Sequence, residues 1–167
     1  MIKNPKITKS KFQGWAILPL IIFFIILFLL FHQLQILNTD TPLYIGTLFI
    51  CISIYLIITI FFLELRTKVI KVSIENDRII KKSFLGLGLP KVYKLANITG
   101  YKISNISSKV GTYEYLYLIA NSKKVVKISE FYHRNYEELK IDLIQKDIKN
   151  LGIEQWSFFR ETKETFE

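Results

Sequence analysis

Hydrophobic and polar positions along the chain fall into two textures that meet near Arg66. From Ile17 to Phe31, fourteen of fifteen residues are Ile, Leu or Phe, with Pro19 the exception, and Leu43 to Leu63 is a second run of 21 residues without a charge. On an insertion scale the first run sums to roughly −4 to −8 kcal/mol at the bilayer centre. A helix of ~20 residues crosses the ~30 Å hydrocarbon core, and backbone amides in lipid must be satisfied within the segment. The pattern therefore predicts a transmembrane helical hairpin over residues 12–65, with helices at about 12–34 and 43–65. Pro19 falls in the first turns of its helix, where a missing N–H costs little.

After Glu64 continuous apolar runs give way to alternation, the mark of half-buried strands. Val69–Glu75 and Arg78–Phe84 read as a hairpin turned at Asn76-Asp77, and Gly86-Leu87-Gly88-Leu89-Pro90 as a loop. Further strands are predicted at Lys91–Leu95, Ile98–Ile106 with a bulge at Gly100, Tyr113–Ala120 and Lys123–Ile128. A helix follows, opened by Asn135 with Glu138 as a capping box, carrying the stripe Tyr136, Leu139, Leu143, Ile144, Ile148 and Leu151, and ended by Gly152. The expected organisation is a basic N-terminus at 1–11, the hairpin at 12–65, a domain at 66–152 and a tail at 153–167 that docks briefly and then frays.

Charge sets the expected topology. Met1–Gln13 carries Lys3, Lys6, Lys9 and Lys11 and no acid, the connector from His32 to Pro42 carries Asp40 and no Lys or Arg, and basic residues resume at Arg66. The positive-inside rule then puts both ends in the cytoplasm and the connector outside, in the plasma membrane. The apolar run exceeds a signal h-region and no small-x-small site follows it, so an uncleaved anchor is expected, with Trp15 at the interface. No acid or base occurs at membrane depth, which removes the usual basis of an ion or proton pathway. The single cysteine, Cys51, excludes a disulfide framework and a cysteine metal site. Lysine outnumbers arginine by 19 to 4 alongside abundant Ile and Asn, a composition that also follows from A- and T-rich codons.

Two membrane helices, six or seven short antiparallel strands and one amphipathic helix is an order that resembles bacterial membrane proteins carrying a pleckstrin-homology-like (PH-like) domain. The resemblance rests on Ile74-Glu75-Asn76-Asp77-Arg78-Ile79, on Leu95-Ala96-Asn97-Ile98, and on Ile128-Ser129-Glu130-Phe131 leading into the helix. It implies a membrane-anchored α+β chain whose partly open antiparallel barrel or sandwich is capped by the C-terminal helix, and which binds proteins or lipids instead of catalysing. The eukaryotic phosphoinositide pattern, several basic residues around the first hairpin loop, is replaced here by Asn76-Asp77.

Candidate chemistry adds little to that reading. His133 near Glu130 and Asp142 has no positioned nucleophile, metal pair or orienting carboxylate, so no catalytic residue, no metal and no cofactor is expected. The strand tyrosines Tyr113, Tyr115 and Tyr117 resemble a base-stacking face, but on a tethered domain they read as barrel interior and rim, without nucleic acid. Residues 66–127 hold 13 Lys or Arg against 3 Asp or Glu, whereas residues 128–167 hold 6 against 9. A Lys near an anionic leaflet gains about 1 kcal/mol, fading over a Debye length of ~8 Å. Lys68, Lys71, Lys81 and Lys82, then Lys91 and Lys94, are the expected contacts with the membrane surface or anionic lipid. The expected partners are thus the bilayer and a protein partner or second copy. The alternative from a different class is an accessory or immunity-type subunit that packs through its hairpin against a larger integral membrane complex.

Overall fold

The structure is a computed structural model that describes residues 7–36, 43–108 and 111–166. The two apolar runs form helices: α1 (Leu18–Ile36), entered through a 3-10 turn at Gly14–Ile17, and α2 (Leu43–Thr59), prolonged by a π-helical turn at Ile60–Leu65. The apolar spans Gly14–Gln35 and Tyr44–Leu65 have 22 residues each. At 1.5 Å per residue each is about 33 Å long, enough to cross a membrane. Phe28, Phe31, Leu48 and Tyr55 are each more than half exposed, so the helices are apolar on faces that none of the described residues covers. Pro19 sits in the first turn of α1, as its missing donor requires. Asp40 and the rest of the connector at 37–42 lie outside the described residues.

Beyond the helices stand two four-stranded sheets. The first has the order β1-β2-β3-β4 and is antiparallel, formed by Thr8–Lys9, Lys71–Ile74, Arg78–Lys82 and Pro90–Lys94. The second has the order β7-β6-β5-β8, where β5 is Ile98–Ser108, β6 Gly111–Ala120, β7 Lys123–Ser129 and β8 Asn150–Ile153. The six strands expected between residues 69 and 128 are β2 to β7, and the expected irregularity at Gly100 is a register shift between Ile98 and Gly100. No barrel closes: β4 and β7 are both sheet edges, and no ladder joins them. The core lies between the sheets, with Val72, Ile74 and Ile79 facing Leu116, Leu118, Val126 and Ile128. Helix α3 (Tyr136–Gln145) seals one end with Tyr136, Leu139 and Leu143.

Several expectations are corrected. Residues 8–12 are not separate from the domain, because β1 pairs with β2, Ser10 and its backbone bond to Val72, and Phe12 bridges to His133. Asn135 makes no side-chain cap on α3; its Oδ1 accepts from the Lys11 N–H at 2.7 Å and its Nδ2 donates to the Lys9 carbonyl at 2.9 Å and to Glu138 at 3.2 Å. The amide thereby extends the pairing of the N-terminal segment. Helix α3 stops at Gln145, where Asp147 takes the left-handed turn at φ 56°, so Gly152 does not end it. Gly152 lies inside β8, which pairs parallel to β5 and makes the second sheet mixed. Ile144 is half exposed and drops out of the buried stripe. The expected tail contains α4 (Phe158–Phe166), which docks on the domain.

Candidate functional site

The end of the first sheet nearest the two apolar helices is tied to them by specific contacts. Phe84, after β3, packs on Phe61 at 5.0 Å, and Leu85 joins Ala16, Val69 and Tyr132 in a second apolar cluster. Trp15 donates its indole N–H to the Phe131 carbonyl at 2.9 Å, and the Tyr132 hydroxyl donates to Glu64 at 2.7 Å. The backbone N–H groups of Lys68 and Val69 close the last turn onto the Glu64 carbonyl. The domain is thus docked on the ends of both helices. Between β3 and β4, Phe84 and Leu85 adopt left-handed φ values of 53° and 56°, and Leu87 and Leu89 stand 82% and 89% exposed at the same end.

The six lysines expected at one surface divide among four environments. Lys68 is enclosed, paired to Glu64 at 2.5 Å and Glu161 at 3.5 Å. Burial would depress its ammonium, but Glu64, Glu161 and Tyr115 outweigh it and raise the pKa above the ordinary value. Lys71 and Lys82 oppose each other across β2 and β3 and share the outer face with Lys9, Ser73 and Ile80 around a groove of about 200 Å³. Lys81 and Lys91, opposed across β3 and β4, share the inner face with Val72 and Ile79. Lys94 pairs with Arg78 at the other end of the strand, four residues or about 13 Å from Pro90. That distance exceeds a Debye length, so Lys94 does not belong with the others.

Lys81 and Lys91 open into a feature that was not legible as a site. Where β4 and β7 fail to pair, a cleft of about 300 Å³ separates the sheets. Arg66 and Thr67 from the helix exit, Lys91 and Tyr93 from β4, and Lys123, Lys124 and Lys127 from β7 line it, with Glu161 of α4 the one carboxylate among the described residues. Lys81 spans the gap, donating to the Val125 carbonyl at 3.2 Å. Burial, then the nearby charges of Lys91 and Arg66, push its pKa down to about 8. Lys127 is also pushed down to about 8, by burial and then Lys68, against the pull of its partner Glu161 and of Glu64. Its ammonium lies 4.3 Å from the Tyr115 ring centre, and that of Lys124 lies 4.5 Å from Tyr117.

Helix α4 is held to this region by two carboxylates. Glu154 meets Lys124 and Arg160 at 2.8 Å each and Lys102 at 3.6 Å. Burial would raise its carboxyl, but these cations hold it down to about 2. Glu161 pairs with Lys127 and Lys68 and accepts from the Trp156 indole at 2.7 Å, and it too is held below the ordinary carboxylate range against burial.

His133 is a structural residue in this arrangement. It is 1% exposed, its Nε2 faces the Ile70 carbonyl at 2.7 Å, and its Nδ1 lies 2.8 Å from the Ser129 carbonyl. Its ring is 5.5 Å from Phe12, so it joins the N-terminal segment, the start of β2 and the end of β7. Among the described residues no cluster of His, Cys, Asp or Glu has metal-binding geometry. The chain matches no protein-family model, no curated protein and no solved structure.

Proposed function

We propose that this protein is a non-enzymatic, membrane-anchored binding module that presents a PH-like domain at the cytoplasmic face of the plasma membrane, with both termini cytoplasmic. The observation that carries this reading is the docking of the sheets on the helix ends. A domain on a flexible tether samples many orientations, whereas the Phe61–Phe84, Trp15–Phe131 and Glu64–Tyr132 contacts hold this one in a single pose. In that pose the β3–β4 loop carries Leu87 and Leu89 to the membrane side, where burying two leucines in the acyl boundary contributes about 3–6 kcal/mol. Lys71 and Lys82 flank the loop, in position to meet anionic headgroups. The remaining surface, with α3, is left for a protein partner or second copy.

Cysteine labelling in sealed vesicles, on a Cys51→Ser background, tests the reading. Cysteines at residues 3 and 165 should react only from the cytoplasmic side and one at residue 40 only from outside; a C-terminus labelled from outside overturns it. Purification in mild detergent then separates it from the accessory-subunit alternative, because a stoichiometric integral membrane partner would assign the hairpin, and not the domain, the binding role.

A further inference from the structure

Among the described residues, the cleft between β4 and β7 has more positive charge than carboxylates answer. Lys124 and Lys127 are matched by Glu154 and Glu161. Among the described residues, Lys81, Lys91 and Lys123 have no carboxylate partner, and Arg66 adds a fourth cation at the mouth. Removing an ammonium from water is expensive unless an opposite charge answers it, and here the near neighbours of Lys81 are cations. A volume of about 300 Å³ sits at the small end of ligand sites, fitting a headgroup and not a large cofactor. Guanidinium and ammonium donors at one place suit a tetrahedral anion with several acceptor oxygens.

Position selects the source. Arg66 and Thr67 follow directly on the apolar span that ends at Leu65. The polar layer of a bilayer is about 5–7 Å thick on each side, so a cleft that begins at the first residue after the span opens into that layer. We infer that this cleft is a phosphate site that takes the phosphomonoester headgroup of an anionic lipid from the leaflet around the helices. A monoester carries close to two charges near neutral pH, against one for a diester, and so answers four cations better. The site differs from the first hairpin loop at Asn76-Asp77, which lies at the far end of β2 and β3. The inference rests on the membrane-anchored reading.

The test uses the full chain in nanodiscs of phosphatidylcholine, alone or with equal mole fractions of phosphatidylglycerol or phosphatidic acid, followed by native mass spectrometry of the retained lipid. Incorporation into phosphatidylcholine discs tests the anchoring by itself, so its failure is distinct from failure of the cleft. Phosphatidic acid should be retained over phosphatidylglycerol, and both over phosphatidylcholine. Lys81→Met with Lys91→Met should lower phosphatidic acid retention by about tenfold or more. Glu161→Gln, which removes a carboxylate that lines the cleft and frees Lys127, should raise it. Lys94→Met, at the other end of β4, should leave the preference for the monoester intact. Equal retention of all three lipids, or retention unchanged in the Lys81 and Lys91 variant, overturns the site. Loss of bound phosphatidic acid to inorganic phosphate added at equal concentration assigns the cleft to a soluble anion and overturns the lipid source.

Discussion

Lys81 and His133 are buried basic side chains whose pKa values burial lowers, so each makes the fold more stable as the pH rises. Lys81 has a folded pKa near 8 against an ordinary 10.5, so between those values the unfolded chain binds more protons and stability rises with pH. Lys81→Met should therefore melt higher than the parent at pH 7, by about 1–3 kcal/mol, and the gap should close as the pH approaches 10.5. Thermal melts of both proteins in one detergent across that range measure it. Burial lowers the His133 pKa below 6.5, so its contribution is lost as the pH falls through 6.5 and the unfolded state takes up the proton. His133→Gln should be less stable at pH 7 yet show a flatter loss between pH 7 and pH 5, read by the same melts. Neither environment was legible in the sequence. Lys81 looks like every other lysine of an alternating strand, and only the pairing of Val72 with Lys81 shows that it points inwards. His133 reads as a junction residue until the Ile70 carbonyl, 63 positions away in the chain, is found against its ring.

Among the elements, the ones read from sequence are those with a long enough period. Strands β2 to β7 each run over four or more residues rich in apolar and aromatic side chains, and Asn76-Asp77, Gly86 to Pro90 and Asn121-Ser122 punctuate three of the boundaries between them, so their existence follows from local pattern. Strand β1 has two residues, too few for a period, and β8 is exposed along its whole length, so both exist because a sheet edge lies beside them. Ile148 and Leu151 continue the helical spacing of α3 by coincidence, since the chain has already turned at Asp147. The close approach of β8 gives a direct test: a Cβ at Gly100 would lie 2.5 Å from the Lys149 carbonyl and 2.6 Å from Leu151. Gly100→Ala should displace β8 and cost about 1–3 kcal/mol, with hydrogen exchange rising at the Glu154 amide, which donates to Ile103. For α4, Glu154 and Glu161 have depressed pKa values, so docking holds above an ordinary carboxylate pKa near 4.5 and is lost as the pH falls towards 2. On a Trp15→Phe background, Trp156 fluorescence should report that release, and Glu161→Gln should shift its midpoint upwards.

The whole molecule is less divisible than its sequence. Alternation begins at Arg66, yet the domain that starts there is incomplete, because Lys9, Ser10, Lys11 and Phe12 supply strand, hydrogen-bond and ring partners to Val72, His133 and Asn135. A chain of residues 66–166 alone should be less stable than one with residues 7–13 joined to its start, and adding that segment as a peptide should raise its melting temperature. The basic excess of residues 66–127 was legible as composition; its division into an outer face, an enclosed pair and an inner cleft depends on where β4 and β7 stop short of each other. The position of β1 also bears on how the chain is made. Thr8 emerges from the ribosome before either helix, and its partner Ile74 only after both. At 5–20 residues per second the first strand waits roughly 3–13 s for its mate. If the hairpin inserts as proposed, the two meet only when the intervening chain has entered the bilayer and come back, so a hairpin inserted once, or the wrong way round, would leave the sheet without its edge. On the membrane-anchored reading, completion of that sheet would work as a check on insertion.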